Sequence, residues 1–246
     1  MIVCRTRLDR YLSQQLGINR RDVRLLLAQR RVLINGQAAT AIHQVIDPFS
    51  SVFFDGDCLH QEQRHYVMLN KPKGVVSATV DEKHQTVMQL LPQVLQGQLH
   101  IVGRLDFNST GLMLLTNDGH WSRALTQPET KVPKTYHVTV EKVLTEQTVK
   151  AFAEGMYFAY EDVQIQSSKL TLLSDYVAEV ILEEGKYHQI RRMFTRCDNR
   201  VVDLHRVQIG NLLLDPLLDA GDSRFLTGGE LQALNDLLFA KGYCQD

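Results

Sequence analysis

The chain has 246 residues, 27 Lys and Arg against 28 Asp and Glu, and 44% hydrophobic residues, for a formal net charge of −1. That length and apolar content suffice for one sizeable core plus a small satellite, which predicts two domains. The N-terminus lacks the long apolar stretch of a signal peptide, no segment is apolar over the length of a bilayer, and Cys4, Cys58, Cys197 and Cys244 show no Cys-x-x-Cys spacing, so neither a cysteine zinc site nor a disulfide framework is suggested and a soluble cytoplasmic protein is expected.

The net charge averages two unlike regions. Residues 1–31 hold Arg5, Arg7, Arg10, Arg20, Arg21, Arg24, Arg30 and Arg31 against Asp9 and Asp22, a net of +6, which leaves the other 215 residues at −7. A compact cationic head on an acidic body points to a polyanion, because neutralising phosphates with Arg is the main source of nucleic-acid affinity; a solvated surface is the plainer alternative. Within the head, Leu8, Tyr11, Leu12 and Leu16 fall at helical spacing and Gly17 closes the segment. Asn19 is placed to cap a second helix, on which Arg20, Arg24 and Arg31 project within an arc of roughly 40° while Val23 and Leu26 point elsewhere. Val32-Leu33-Ile34 then runs into the tight-turn pair Asn35-Gly36, and β-rich stretches end at Asp55-Gly56. These elements predict a small domain over residues 1–60, followed by a polar linker over 61–65 that lacks periodicity.

The second domain is expected over 66–246. Strand-like runs recur at 66–69, 111–116, 135–140, 169–173, 177–182 and 200–204, with helical patterns between some of them. That mixture predicts an α+β fold with a mixed, largely antiparallel sheet and flanking helices. Thr227 and Glu230 stand at capping-box spacing before Leu231, Leu234, Leu237 and Leu238, which predicts an amphipathic C-terminal helix.

The most informative stretch is Gly103-Arg104-Leu105-Asp106-Phe107-Asn108-Ser109-Thr110-Gly111, which enters the apolar run Leu112 to Leu115. It places a carboxylate beside an arginine in a loop held by a buried strand, where chemistry tends to sit. Two plainer readings compete. Asp106 and Asn108 can form an Asx turn that only bonds nearby amides. Asp-x-Asn-x-Thr-Gly also resembles the first half of a calcium loop, but the twelfth position is Asn117 rather than Glu and the flanks read as strand.

Three separated segments join this one: Asn70-Lys71-Pro72-Lys73-Gly74, Lys134-Thr135-Tyr136, and Glu184-Gly185-Lys186-Tyr187-His188-Gln189-Ile190-Arg191-Arg192-Met193-Phe194. In this order and spacing they resemble the pseudouridine synthases, specifically the RsuA branch. The resemblance covers nearly the whole chain, since that branch also carries an N-terminal RNA-binding module of the S-four type. His120-Trp121-Ser122, Gly185-x-Tyr187-His188-Gln189 and Leu204-His205-Arg206 look closer to the small-subunit rRNA enzyme than to its large-subunit relatives. Asn108 and Ser109 depart from the pattern, standing where Asp and Thr are common, and Arg191 stands where the nearest relatives carry Lys.

The resemblance implies isomerisation of one uridine in RNA, without cofactor or metal, by a monomer acting on 16S rRNA or a small-subunit assembly intermediate. It implies that Asp106 is the nucleophile, that Arg191 pairs with it, that Tyr136 stacks beneath the uracil, that Leu182 closes the opposite wall, and that Arg104 fills the space left by the flipped base or contacts a phosphate. Arg7, Arg20, Arg21, Arg24, Arg31, Lys71 and Lys73 are expected to hold the RNA backbone. His188 is expected to stack or hydrogen-bond, with the uracil proton leaving through water.

Overall fold

The computed structural model describes residues 5–158 and 162–243, so Cys4 and Cys244 lie outside the described residues. The chain divides into two units at Arg64/His65. No helix among the described residues is long and apolar enough to cross a membrane.

In the first unit β1 (Thr6–Arg7) leads into α1 (Leu8–Leu16), and α2 (Arg20–Ala28) follows; β2 (Val32–Ile34), β3 (Gln37–Ala38), β4 (Val45–Ile46), β5 (Val52–Phe54) and β6 (Asp57–His60) complete it. Helix α1 buries Leu8, Tyr11 and Leu12 and ends where Gly17 takes a left-handed conformation, φ 66°. Helix α2 buries Val23 and Leu27 and leaves Arg20, Arg21 and Arg24 exposed. Asn19 occupies its N-cap position without a side-chain hydrogen bond. Four strands pair in the order β3-β2-β5-β6, while β1 pairs with β4. Both hairpin turns use two residues with positive φ, Asn35-Gly36 (51° and 79°) and Asp55-Gly56 (50° and 93°), which matches the twist of the flanking strands.

The arginine arc is corrected at its last member. Because α2 stops at Ala28 and Arg30 adopts φ 55°, Arg31 lies outside the helix. Its Nε donates to Asp55 at 2.8 Å and its guanidinium lies 4.9 Å from the centre of the Phe54 ring.

The second unit contains, in chain order, β7 (Tyr66–Lys71), β8 (His100–Val102), β9 (Thr110–Thr116), α3 (Gly119–Thr126), β10 (Lys134–Val140), α4 (Glu146–Glu154), β11 (Met156–Phe158), β12 (Val163–Ile165), β13 (Lys169–Leu172), β14 (Val177–Leu182), α5 (Gln189–Arg196), β15 (Val201–Ile209), β16 (Leu212–Leu213), β17 (Ser223–Phe225) and α6 (Gly228–Ala240). Among the described residues, seven of these strands run in the order β13-β14-β10-β15-β9-β7-β17, with β8 beside β9 and β16 beside β15. Every pairing in this sheet is antiparallel except β15 with β9.

The apolar run on β9 is continuous because both of its faces are covered. Leu112 and Leu114 pack with Met68, Trp121, Leu125, Leu234 and Leu238, while Met113 and Leu115 pack with Val67, Leu69, Val87, Met88 and Leu91. Helices α4 and α5 cover β10, β14 and β15 through Phe152 and Phe194, whose rings lie 4.8 Å apart. Helix α6 begins in a complete capping box between Thr227 and Glu230.

The parallel contact places the start of β9 hard against β15, with Gly111 opposite Arg206. Gly111 has φ 102°, and a Cβ there would lie 2.3 Å from the Arg206 carbonyl oxygen. No side chain fits without parting the strands. Gly111→Ala is therefore expected to destabilise the protein by about 3 kcal/mol, read as a lower urea midpoint at unchanged slope.

Candidate active site

Leu105 is buried in the core beneath β7 and β9, and it anchors the segment that carries Asp106. From there onward the main chain is tied at nearly every residue. The Ser77 hydroxyl donates to the Leu105 carbonyl and accepts from the Leu105 amide at 3.1 Å. Gly74 N donates to the Phe107 carbonyl at 2.9 Å, and Ser109 N donates to the Asp106 carbonyl at 3.0 Å. Lys71 Nζ donates to the Ser109 carbonyl at 2.8 Å. Arg191 Nη2 reaches the Asn108 carbonyl at 3.3 Å and the Ser109 hydroxyl at 3.4 Å. Among the described residues, the basic group within ion-pair range of the Asp106 carboxylate is His188, with Nε2 3.5 Å from Oδ1.

Asp106 opens onto a cleft of about 480 Å³ lined by Arg104, Asp106, Tyr136, Leu182 and Arg191, together with Val76, Ser77, Phe107, Lys186, Tyr187, His188 and Leu204. All five residues expected to do chemistry thus share one cavity. Tyr136 sits on β10 opposite Val180 of β14, and Leu182 lies two residues farther along β14, on the same face of the sheet. Helix α5 starts directly after His188, which takes a left-handed conformation (φ 48°) at the N-cap, and its first turn carries Arg191 to the loop. The Tyr187 and His188 rings stack, with centroids 3.9 Å apart and planes 18° from parallel. Gln189 closes the segment before the helix by accepting from Lys186 N at 3.0 Å and donating to Glu184 at 2.8 Å.

Two expectations are corrected here. Arg191 does not pair with Asp106; the left-handed turn at His188 directs its guanidinium to the loop's carbonyl and hydroxyl, so it holds the loop rather than the carboxylate. Lys71 is not a surface contact for RNA. It is fully buried at the end of β7, its ammonium shared between the carbonyls of Ser109 and Pro72. Burial pushes Lys71 down from the usual 10.5 to about 8, the nearby Arg206 pushes the same way, and Asp106 opposes both. Lys73 is exposed, as are Arg7, Arg20, Arg21, Arg24 and Arg31, although Arg7 is paired with Asp9 at 2.8 Å.

Other cations gather behind the loop. Arg206 is buried on β15, its Nε donating to the Leu112 carbonyl at 2.7 Å. Lys134, at the start of β10, is pushed down to about 8 by burial and by Arg206. The sequence motif Leu204-His205-Arg206 marked Arg206, but nothing in it showed that the guanidinium points inward. Ser77 carried no signal.

The RNA pseudouridylate synthase family profile matches residues 65–196, which contain the loop, Tyr136, Leu182 and Arg191. This chain belongs to that family. A pseudouridine synthase of Pseudomonas aeruginosa named "Ribosomal small subunit pseudouridine synthase A" is 42% identical over 226 residues, covering 92% of this chain and 98% of its own length. Its namesake in Escherichia coli (strain K12) is 37% identical over 229 residues, covering 93% and 99%. A crystal structure of a pseudouridylate synthase superposes with a TM-score of 0.68 at 37% identity, covering 93% of this chain and 99% of the other. The chain is accordingly an isomerase that converts uridine in RNA to pseudouridine, on a mixed α+β fold.

In this synthase Lys71 works inside the protein, and its removal should act on the loop rather than on RNA affinity. Lys71→Met is expected to cut turnover while leaving the slope of log Kd against log salt unchanged. Lys73→Met should lower that slope by about 0.7, the value for one phosphate contact on a single strand. Filter-binding titrations across salt concentrations check both.

Proposed function

We propose that this synthase isomerises one uridine of 16S rRNA, acting as a cytoplasmic monomer on the free rRNA or on a small-subunit assembly intermediate. Support for the target comes from the relatives named for the small ribosomal subunit, which match at 37–42% identity over nearly their full lengths. The chemistry rests on one observation: Asp106, Tyr136, Leu182, Arg104 and Arg191 line a single cleft.

A base stacked in RNA is out of reach, so the target uridine is turned out at an unstacking cost of a few kcal/mol. Arg104, exposed at the cleft, occupies the vacated space or holds a phosphate beside it. The uracil is received between the Tyr136 ring and Leu182, a flat face and an apolar wall. Asp106 is the nucleophile, acting at the ribose or the uracil ring to release the bond from C1′ to N1. The uracil turns, the bond from C1′ to C5 forms, and C5 loses its proton. Arg191 serves this by holding the Asn108 carbonyl and the Ser109 hydroxyl, which sets where the Asp106 carboxylate points.

The first unit supplies the S-four-type RNA anchor, and residues 61–65 link it to the catalytic domain. Arg20, Arg21 and Arg24 present exposed positive charge on α2, with Asp9 near Arg20, whereas Arg7 and Arg31 are hydrogen-bonded to Asp9 and Asp55 and contribute less.

Asp106→Asn is expected to lower conversion by at least about 10⁴-fold, because it removes the nucleophile and little contact area. RNA affinity should stay close to that of the parent, and pseudouridine mapping of the rRNA reads the outcome. Turnover retained in that variant refutes the role, whereas conversion of large-subunit rRNA alone refutes only the target. Replacing Arg20, Arg21 and Arg24 by Gln should reduce the salt slope of binding by about 2. An unchanged slope would remove α2 from the RNA contact.

A further inference from the structure

The reaction ends with the loss of a proton from C5, and the cleft must offer that proton a destination. Its lining contains few acceptors. The guanidinium groups of Arg104 and Arg191 offer donors and no acceptor, and the hydroxyls of Ser77, Ser109, Tyr136 and Tyr187 are weak bases. Lys186 is engaged with Glu184 at 3.3 Å. Among the described lining residues, this leaves Asp106 and His188.

We propose that His188 is a further catalytic residue, whose Nε2 accepts the C5 proton after the new glycosidic bond has formed. The inference rests on Asp106 acting as the nucleophile in this cleft. In the step itself the C5–H bond breaks and its electron pair forms the C5–C6 double bond, the C6–N1 π pair returns to N1, which takes a proton from water, and the C5 proton passes to the imidazole. No oxidant or other co-reactant is needed, and water takes the proton from the imidazolium afterwards. With its own hydrogen on Nδ1, the neutral ring leaves Nε2 free to accept.

Geometry favours this assignment in three ways. Nε2 stands 3.5 Å from the Asp106 carboxylate, too long for a formed hydrogen bond but close enough to stabilise an imidazolium there. The Tyr187 ring, 74% exposed, lies flat against the imidazole and fixes its plane. The His188 side chain is 39% exposed, which gives the proton a direct exit to solvent. Arg104, Lys186 and Arg191 are the other charged groups facing this end of the cleft.

The test uses the full-length protein in single-turnover reactions on small-subunit rRNA, free and partly assembled, transcribed with either hydrogen or deuterium at uridine C5. His188→Ala is expected to slow conversion by about 10²-fold, to reveal a primary isotope effect that the parent lacks, and to regain rate when imidazole is added. His188→Asn keeps a residue that tolerates the left-handed backbone and should be slowed alike, with an unchanged unfolding midpoint. Parental rates in both variants overturn the proposal, and so does slowing without an isotope effect or rescue, which marks a binding role. A parent protein that converts no uridine in either substrate counts against the function itself rather than against His188.

Discussion

The site depends on a buried ammonium. Lys71 ends β7 inside the protein, and its Nζ holds the Ser109 carbonyl three residues after Asp106. Placing an amine there is costly, as its depression to about 8 shows, and two carbonyl oxygens offset only part of that cost. The Asp106 carboxylate supplies the remaining attraction and favours the charged amine. Loop and lysine therefore support each other: without the loop the amine keeps the Pro72 carbonyl alone of its two acceptors, and without the amine the Ser109 carbonyl loses its donor at 2.8 Å. A fixed loop in turn fixes where the Asp106 carboxylate stands.

Further anchors serve the same end by bonding the main chain of the loop and leaving the Asp106 side chain to the cleft. Ser77 holds the main chain at 105, Gly74 at 107 and Arg191 at 108, and Arg191 also reaches the Ser109 hydroxyl. Gly111 lets the start of β9 close on β15, which brings buried Arg206 behind the loop. Arg206 lies close enough to both Lys71 and Lys134 to push each of them further down than burial does, and Lys241 adds to the effect on Lys134. Such crowding opposes folding, and it keeps positive charge behind the loop of an enzyme that works on polyanionic RNA.

Much of this was legible in the chain. The run Leu112 to Leu115 announced a buried strand, Gly17 and Thr227 marked helix ends, and the segments around Asp106, Tyr136 and Arg191 converged on one cavity. What escaped was direction. Lys71 and Lys73 are near neighbours in a basic turn, and only the pairing of β7 with β9 decides that the first points inward. Arg31 looked helical because its spacing continues that of Arg20 and Arg24, yet the chain leaves the helix at Gln29 to enter the β2 hairpin. The short strands β8, β16 and β17 went unseen because two or three residues carry no periodicity; their pairing partners create them.

On the proposed reading, the walls of the cleft suit a base that must turn while it stays bound. Tyr136 and Leu182 project from one face of adjacent strands and offer a ring and a branched alkyl group. Stacking and dispersion forces hardly change as a flat ring rotates in its own plane, whereas a set of directional hydrogen bonds would lock one orientation and add a barrier to leaving it. The polar groups are placed differently. Asp106, His188 and the arginines lie where the sugar, the departing proton and the phosphates fall on the proposed reading, so the apolar walls retain the uracil and the charged rim acts on what it is attached to.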